Sequence, residues 1–286
     1  MSASSASIAV PGTLYIVATP IGNLGDMSPR GVGILQQVDL IAAEDTRHSR
    51  RLADHFAIAT PMISLHEHNE RGVSGRLIER LQGGESVALI SDAGTPLISD
   101  PGFHLVRAAR EAGIAVVPVP GASALISALS VAGLPTDRFV FEGFLPARQA
   151  ARLARLEALK GETRTLVFYE SSHRILDCLR DMLAVFGAGR HAVVARELTK
   201  AFETTLSGTL QELHARVGAD GDQQRGEFVV VVQGAAAPAA GQVTPEAGRL
   251  LSILLEELPA GKAAKLVAKI TGINKRLLYE HTLNKT

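Results

Sequence analysis

The chain has almost no cysteine and no tryptophan: Cys178 stands alone among 286 residues. A single cysteine excludes an internal disulfide and a cysteine-built zinc site, which fits a reducing cytoplasm, and Cys178 itself reads as buried packing. An excess of either charge is also missing, with 29 Lys plus Arg against 29 Asp plus Glu. No apolar run approaches the roughly 20 residues of a membrane span; the longest, near residues 124–134, is broken by Ser127 and Ser130. Met1 to Pro11 carries neither a basic start nor a sustained apolar block, so it reads as a flexible Ser/Ala-rich start and not as a secretory signal. Two phosphate signatures are absent as well. There is no G-x-x-x-x-G-K-[ST], and Gly31-Val32-Gly33-Ile34-Leu35-Gln36 lacks the third glycine of a dinucleotide fingerprint and follows no strand. Nucleoside triphosphate and NAD readings are weak on that ground.

What is present is enough apolar content, 46%, for a folded chain of about two domains and a small appendage. Short β-rich runs at Thr13–Ala18, Leu40–Ala43, Val87–Ser91 and Ala115–Val119, bounded by Gly, Pro or Asp, read as strands buried on both faces. Apolar residues at helical spacing fall between them, as in Arg71–Leu81 and Phe103–Ala112, which is an α/β pattern. Beyond Gly121 the strands lengthen, at Arg138–Phe144, Thr165–Tyr169, His191–Ala195, Thr204–Gly208 and Glu227–Val232, with helices at Gln149–Leu159, His173–Phe186 and Thr209–Val217. A mixed sheet is expected there. The expected division is a flexible start at 1–11, an N-terminal α/β domain at 12–120, a C-terminal α/β domain at 121–234, an uncharged Ala/Pro linker at 235–245 and a basic module at 246–286.

Three small-residue loops each follow an expected strand: Thr19-Pro20-Ile21-Gly22-Asn23-Leu24-Gly25, the run from Ser91 to Gly102, and Val119-Pro120-Gly121-Ala122-Ser123-Ala124. In an open α/β sheet ligands bind beyond the carboxyl ends of the strands, where such loops let backbone approach closely. Any one of them could be turn punctuation alone. The run after Ser91, with two Asp, two Gly and two Pro, is harder to dismiss in that way.

These loops, together with Ala43-Glu44-Asp45-Thr46-Arg47, Ser64-Leu65-His66-Glu67-His68-Asn69-Glu70, Tyr169-Glu170-Ser171-Ser172-His173-Arg174 and Arg196-Glu197-Leu198-Thr199-Lys200, resemble the tetrapyrrole methylase superfamily and, within it, the enzymes that modify small-subunit ribosomal RNA. The resemblance spans about residues 12–234 and extends to the C-terminal module. It implies two α/β domains with a cleft for S-adenosylmethionine between them, and 2′-O-methylation of a cytidine ribose in the decoding region of 16S ribosomal RNA, free or in the assembled 30S subunit. By that similarity the cofactor contacts fall on Pro20, on Asp92, Gly94, Thr95, Ile98, Ser99 and Asp100, on Ser123 and Ala124, and on Phe168, Tyr169 and Glu170. Asp92 is the expected polar anchor, and an Asx turn is its alternative or additional role. A homodimer is expected by similarity as well.

Methyl transfer to a ribose hydroxyl is aided by a group that accepts the proton late in the step. Glu44, Asp45, His66, Glu67 and Lys200 are the candidates, unranked. The acid pair precedes Arg47, His48, Arg50 and Arg51, so these arginines could reach RNA phosphates, or the run could be a solvated helix start. His66-Glu67-His68 has no metal-ligand spacing, so no metal is expected. Lys200 could contact a phosphate or stabilise an alkoxide, or be a surface lysine.

From Ala260 onward Lys262, Lys265, Lys269, Lys275, Arg276 and Lys285 face Glu280 alone, a local charge of +5 that the rest of the chain balances. Helices over Glu246–Glu257, Lys262–Ile270 and Asn274–Leu283 give a helix-turn-helix outline suited to nucleic acid, although a dimerisation bundle would look similar. Two other functions remain to be tested: C-methylation of a tetrapyrrole, and a ligand-sensing DNA-binding regulator.

Overall fold

The computed structural model describes residues 9–236, 243 and 245–283. The start at residues 1–8, the linker residues 237–242 and 244, and Lys285 lie outside the described residues. The chain separates into a unit ending at Gln233 and a unit beginning at Gly234.

The first unit opens with β1 (Thr13–Val17), α1 (Pro29–Gln37), β2 (Leu40–Ala43), α2 (Thr46–His55), β3 (Met62–Ser64), α3 (Glu70–Gln82), β4 (Val87–Ile90), α4 (Phe103–Glu111) and β5 (Ala115–Val119). The strands form a parallel sheet in the order β3-β2-β4-β1-β5. The central strands Leu40-Ile41-Ala42-Ala43 and Val87-Ala88-Leu89-Ile90 are buried at every position because helices cover both faces. On one face Tyr15, Ile41 and Ile90 pack with Ile34, Leu35 and Leu52. On the other, Leu14, Ala42 and Leu89 pack with Leu77, Leu81 and Leu105. Because all five strands run the same way, the loops after them lie along a single edge.

The chain then forms α5 (Ala124–Ala132), β6 (Phe139–Phe144), α6 (Gln149–Leu159), β7 (Thr165–Ser171), α7 (Ile175–Phe186), β8 (His191–Arg196), β9 (Thr204–Thr209), α8 (Leu210–Ala219) and β10 (Glu227–Val232). The sheet order is β6-β7-β10-β8-β9. The β6–β7 pair is parallel and the other pairs are antiparallel, so the sheet is mixed as its strand texture predicts. Leu166, Phe168, Phe228 and Val230 face α6, α7 and α8 through Leu156, Met182 and Leu213. The opposite face, with Val167, Val193, Val229 and Val231, rests on Leu125, Ala128 and Leu129 of α5.

The second unit contains α9 (Pro245–Leu255), α10 (Ala260–Thr271) and α11 (Lys275–Leu283). Its core is Ala247, Leu251, Ala263, Ala264, Val267 and Leu278. Gly272, at φ +73°, closes α10 in the left-handed conformation, and the Asn274 side chain accepts the Arg276 N–H at 2.8 Å to start α11. Thr271 and Gly272 thus form the turn between the second and third helices of this unit.

Candidate functional site

A cleft of about 280 Å³ opens where the carboxyl-edge loops of the parallel sheet meet the mixed sheet. The loop after β4 contributes Ala93, Gly94, Thr95, Ile98, Ser99 and Asp100, and the entry to α5 contributes Ser123 and Ala124. The mixed sheet supplies Phe144, Tyr169, Glu170, Ala195, Glu227 and Val229, and the loop between β8 and β9 supplies Leu198 and Lys200. Of the residues expected to touch a cofactor, Gly94, Thr95, Ile98, Ser99, Asp100, Ser123, Ala124, Tyr169 and Glu170 therefore share one cavity.

Three expected contacts do not line it. Phe168 is fully buried in the core on the helix-covered face of the mixed sheet. It alternates with Tyr169 along β7, so their side chains point to opposite faces; Glu170, which borders the cavity, likewise turns its carboxylate to Arg174 and Cys178. Pro20 is buried and does not line the cavity. Asp92 is committed elsewhere: its Oδ1 accepts the Asp45 N–H at 3.2 Å, while its own N–H donates to Glu44 Oε2 at 3.2 Å. It latches the loop after β4 to the loop after β2 and does not line the cavity.

Backbone strain concentrates at the cleft. Leu97, Ser99, Glu197 and Thr199 have φ of +73°, +69°, +51° and +67°. They flank Ile98 and Leu198, both of which line the cavity. Non-glycine residues hold such conformations only where the surroundings over-determine them. The loop after β4 is held at one end by a two-way backbone bridge, Thr19 N to Gly94 O at 2.8 Å and Gly94 N to Thr19 O at 3.0 Å. At the other end the buried Glu70 Oε1 accepts the N–H groups of Gly102, His104 and Leu105. No role was read for Glu70 from sequence; a lone acid at a helix start gives no sign that it caps a different helix.

Asp100 is the perturbed acid of the cleft. Burial, then the charge of neighbouring Glu44, push its carboxyl up to about 6, and a hydrogen bond with Ser91 opposes them. Glu44 is raised too, first by burial, against the hydrogen bond from the Asp92 N–H. Tyr169 is raised by burial while its hydroxyl accepts the Leu125 N–H at 3.1 Å. Lys200 Nζ sits 2.8 Å from Glu197 Oε1 and 2.9 Å from Glu227 Oε2. Burial alone would lower this ammonium, but the two carboxylates outweigh it and hold it above the ordinary lysine range. Lys200 is thereby held as a cation between two carboxylates.

Among the expected catalytic residues, Lys200 lines the cleft, whereas Glu44, Asp45 and His66 do not. Asp45 caps α2, accepting the Arg47 N–H at 2.8 Å and pairing with its guanidinium at 3.2 Å, as a helix-start acid does. His66 follows β3 on the same sheet edge, with its backbone N–H donating to Asn69 Oδ1 at 2.9 Å. Glu67 is exposed, as are Arg47, Arg50 and Arg51 on α2 and Lys262, Lys265, Lys269, Lys275 and Arg276 on the second unit. Among the described residues no cluster of three or more His, Cys, Asp or Glu is placed to hold a metal, and no helix is long and apolar enough to cross a membrane.

Residues 13–214 match the family described as Tetrapyrrole (Corrin/Porphyrin) Methylases, and residues 241–285 match that described as the RsmI C-terminal HTH domain. A ribosomal RNA small subunit methyltransferase I of Pseudomonas aeruginosa is 62% identical over 275 residues, covering 96% of this chain and 98% of the relative. The protein of that description from Escherichia coli O157:H7 is 52% identical over 274 residues, covering 96% of each. Among solved structures, a diphthine synthase aligns with a TM-score of 0.60 at 17% identity, over 77% of this chain and 90% of its own. The uroporphyrin-III C-methyltransferase of Thermus thermophilus, complexed with S-adenosylhomocysteine, aligns with a TM-score of 0.54 at 16% identity, over 77% and 97%. At those identities the likeness is one of fold.

Proposed function

The chain belongs to the ribosomal RNA small subunit methyltransferase I family of tetrapyrrole methylases, and from that footing we propose that it transfers a methyl group from S-adenosylmethionine to the 2′-hydroxyl of a cytidine in the decoding region of 16S ribosomal RNA. The observation that carries the proposal is the composition of the cleft: a backbone-rich wall from the loop after β4, an acid at Asp100 and a fixed cation at Lys200. The donor set suits the cofactor. The Ser99 and Ser123 hydroxyls and the backbone of Gly94 and Thr95 can meet the ribose and amino-acid end, Ile98, Leu198 and Val229 the apolar parts, and Asp100 a cationic group. A side chain at Gly94, whose φ is +84°, would crowd Ile21 at 3.3 Å, so this wall has to be bare backbone.

S-adenosylmethionine would supply an electrophilic methyl carbon on a good leaving group. The work left to the protein is mostly alignment, which can contribute on the order of 7–11 kcal/mol. Lys200, held protonated, would stabilise negative charge growing on the ribose oxygen, and the hydroxyl proton would pass to water as the bond to the methyl carbon forms. Glu44, Asp45 and His66 lie along the same edge of the parallel sheet, beside the cleft, where they would border the acceptor. Arg47, Arg50 and Arg51, with the basic face of α10 and α11, would hold RNA phosphates. A cytoplasmic homodimer belongs to the same proposal.

A tetrapyrrole acceptor is the reading to set against this one, because the family fold serves both. The match of the second unit to a helix-turn-helix description and the near full-length relatives support RNA. The test is transfer of labelled methyl from S-adenosylmethionine to small subunits purified from a strain lacking this protein, followed by nuclease digestion and nucleoside mass analysis. A gain of 2′-O-methylcytidine is expected. A methyl on a base, or no transfer despite cofactor binding, overturns the proposal.

A further inference from the structure

Strand β6 contains an irregularity that the reaction described above does not use. Phe141 pairs with Val167 and Gly143 with Phe168, so Glu142 is an extra residue in the strand. In a regular strand Phe141 and Phe144, three positions apart, would point to opposite faces. The inserted residue reverses the alternation, and both rings lie on the face of Tyr169, with centroids 4.9 Å and 5.7 Å from its ring. Bulges beside active sites commonly re-aim a side chain in this way. The bulge needs Gly143: its φ is +64°, and a Cβ there would stand 3.1 Å from Ser99 Oγ of the cleft loop.

The re-aimed side chain is unusual in its setting. Phe144 lines the cleft and is 56% exposed, in a chain that is only 4% aromatic. Its edge is held by Tyr169, itself fixed through the hydrogen bond to Leu125 N–H. A fixed ring with a free face in a polar-mouthed cleft suits a planar heteroaromatic ligand. Methyl transfer to a nucleotide offers two such ligands, the adenine of the donor and the base of the acceptor. Gly94, Ala195 and Val229 form the buried wall, while Phe144 stands on the exposed rim with Ile98, Ser99 and Glu227. An enzyme acting on one nucleotide of a folded RNA must also replace the stacking that nucleotide loses when it leaves its helix.

We propose that Phe144 is the stacking platform for the unpaired base of the acceptor nucleotide, an inference that rests on the RNA reading of the cleft. Phe144 offers no hydrogen-bond donor or acceptor, so it would hold the base in plane without selecting its identity. The bulge at Glu142–Gly143 is then a positioning device for the acceptor.

The experiment compares wild type with Phe144→Ala, Phe144→Leu and Phe144→Trp in methyl transfer to purified small subunits, with S-adenosylmethionine affinity measured by calorimetry. Phe144→Ala and Phe144→Leu should raise KM for the subunit roughly 5- to 150-fold, the range that loss of one stacked base supports. Phe144→Trp should stay near wild type, cofactor affinity should not change, and melting temperatures should match because the ring is exposed. Weakened cofactor binding with an unchanged subunit KM assigns the ring to adenine and overturns the inference, as does full activity of Phe144→Leu. Absence of transfer by the wild type sinks the RNA reading itself and is read separately from the variants.

Discussion

The Glu70 carboxylate on the first turn of α3 accepts the backbone N–H of Gly102, at the entrance of α4, at 3.1 Å. The same oxygen takes His104 N–H at 2.7 Å and Leu105 N–H at 3.2 Å, so a buried anion closes the positive end of a neighbouring helix. Gly102 has φ +128°, and a Cβ there would lie 2.6 Å from Leu89 Cδ2. This end of the cleft loop therefore has little freedom to find other partners. Glu70→Ala should lose about 3 kcal/mol of stability in urea denaturation, since a charged acceptor of buried amides is removed. It should also weaken S-adenosylmethionine binding, and Glu70→Gln, which keeps an acceptor oxygen, should fall between. Cofactor affinity unchanged in Glu70→Ala would show that the loop holds its shape without this anchor.

Asp100 makes the site pH-sensitive. Its folded carboxyl is raised to about 6, first by burial and then by the charge of Glu44, from an ordinary value of 3.8. The folded state thus holds this proton more tightly than the unfolded chain does. The stability it contributes is complete below about pH 4 and is lost as pH rises through about 6. Cofactor binding should run the other way, because a cationic ligand needs the ionised acid: affinity should fall as pH drops below about 6, with proton release on binding. Asp100→Asn should raise the melting temperature at pH 7.5, weaken cofactor binding and flatten its pH dependence between pH 5 and 7.5. Calorimetry in two buffers of different ionisation enthalpy reads both effects, and an Asp100→Asn profile as steep as wild type counts against the assignment.

Lys200 is held between Glu197 and Glu227, and its stem passes over Gly22, where a Cβ would collide with it. Lys200→Met should lower kcat for subunit methylation about 10²-fold or more, the scale of losing one stabilising donor at a developing oxyanion, while cofactor affinity is retained. Gly22→Ala leaves the lysine in the chain but displaces it, and should reproduce part of the loss. Equal losses in cofactor binding and turnover would place Lys200 on the cofactor instead.

The long features of the fold were legible in sequence because burial on both faces leaves unbroken apolar runs, as in Leu40–Ala43 and Val87–Ile90. Shorter or more polar elements leave little or only ambiguous trace in the sequence. β3 is three residues behind Pro61, too short to show a period. α2, Thr46-Arg47-His48-Ser49-Arg50-Arg51-Leu52-Ala53-Asp54-His55, buries only Ser49, Leu52 and Ala53, so its composition looks like a charge run. Within the site, the loops could be found from their small residues, but which side chain of a strand faces the ligand depends on pleat phase. Similarity to the family puts Phe168 at the cleft together with Tyr169 and Glu170, but the pleat turns its ring into the core, and Phe144 reaches the cleft through a bulge that alternation does not foresee. Asp92 shows the same limit, because its partners Glu44 and Asp45 arrive from a different strand.

The basic face of the second unit provides a prediction that separates affinity from chemistry. Lys262, Lys265 and Lys269 recur along α10, and Lys275 opens α11; all are exposed, and none of them contributes to the core of Ala247, Leu251, Ala263, Ala264, Val267 and Leu278. Replacing Lys262, Lys265 and Lys269 by Ala should therefore leave that core folded. If each meets an RNA phosphate, the slope of log affinity for the small subunit against log salt should become shallower by roughly 0.7 to 0.9 per lysine removed. Cofactor affinity, set by residues that precede Gln233, should be unchanged, and turnover at saturating subunit should approach wild type. A salt dependence identical to wild type, accompanied by a change in oligomeric state on a sizing column, would instead make this face a contact between copies of the chain. The two outcomes follow from different physics: phosphate neutralisation releases counterions in proportion to the charges engaged, whereas an interface built on the exposed Leu266 and Ile270 beside these lysines would strengthen with salt.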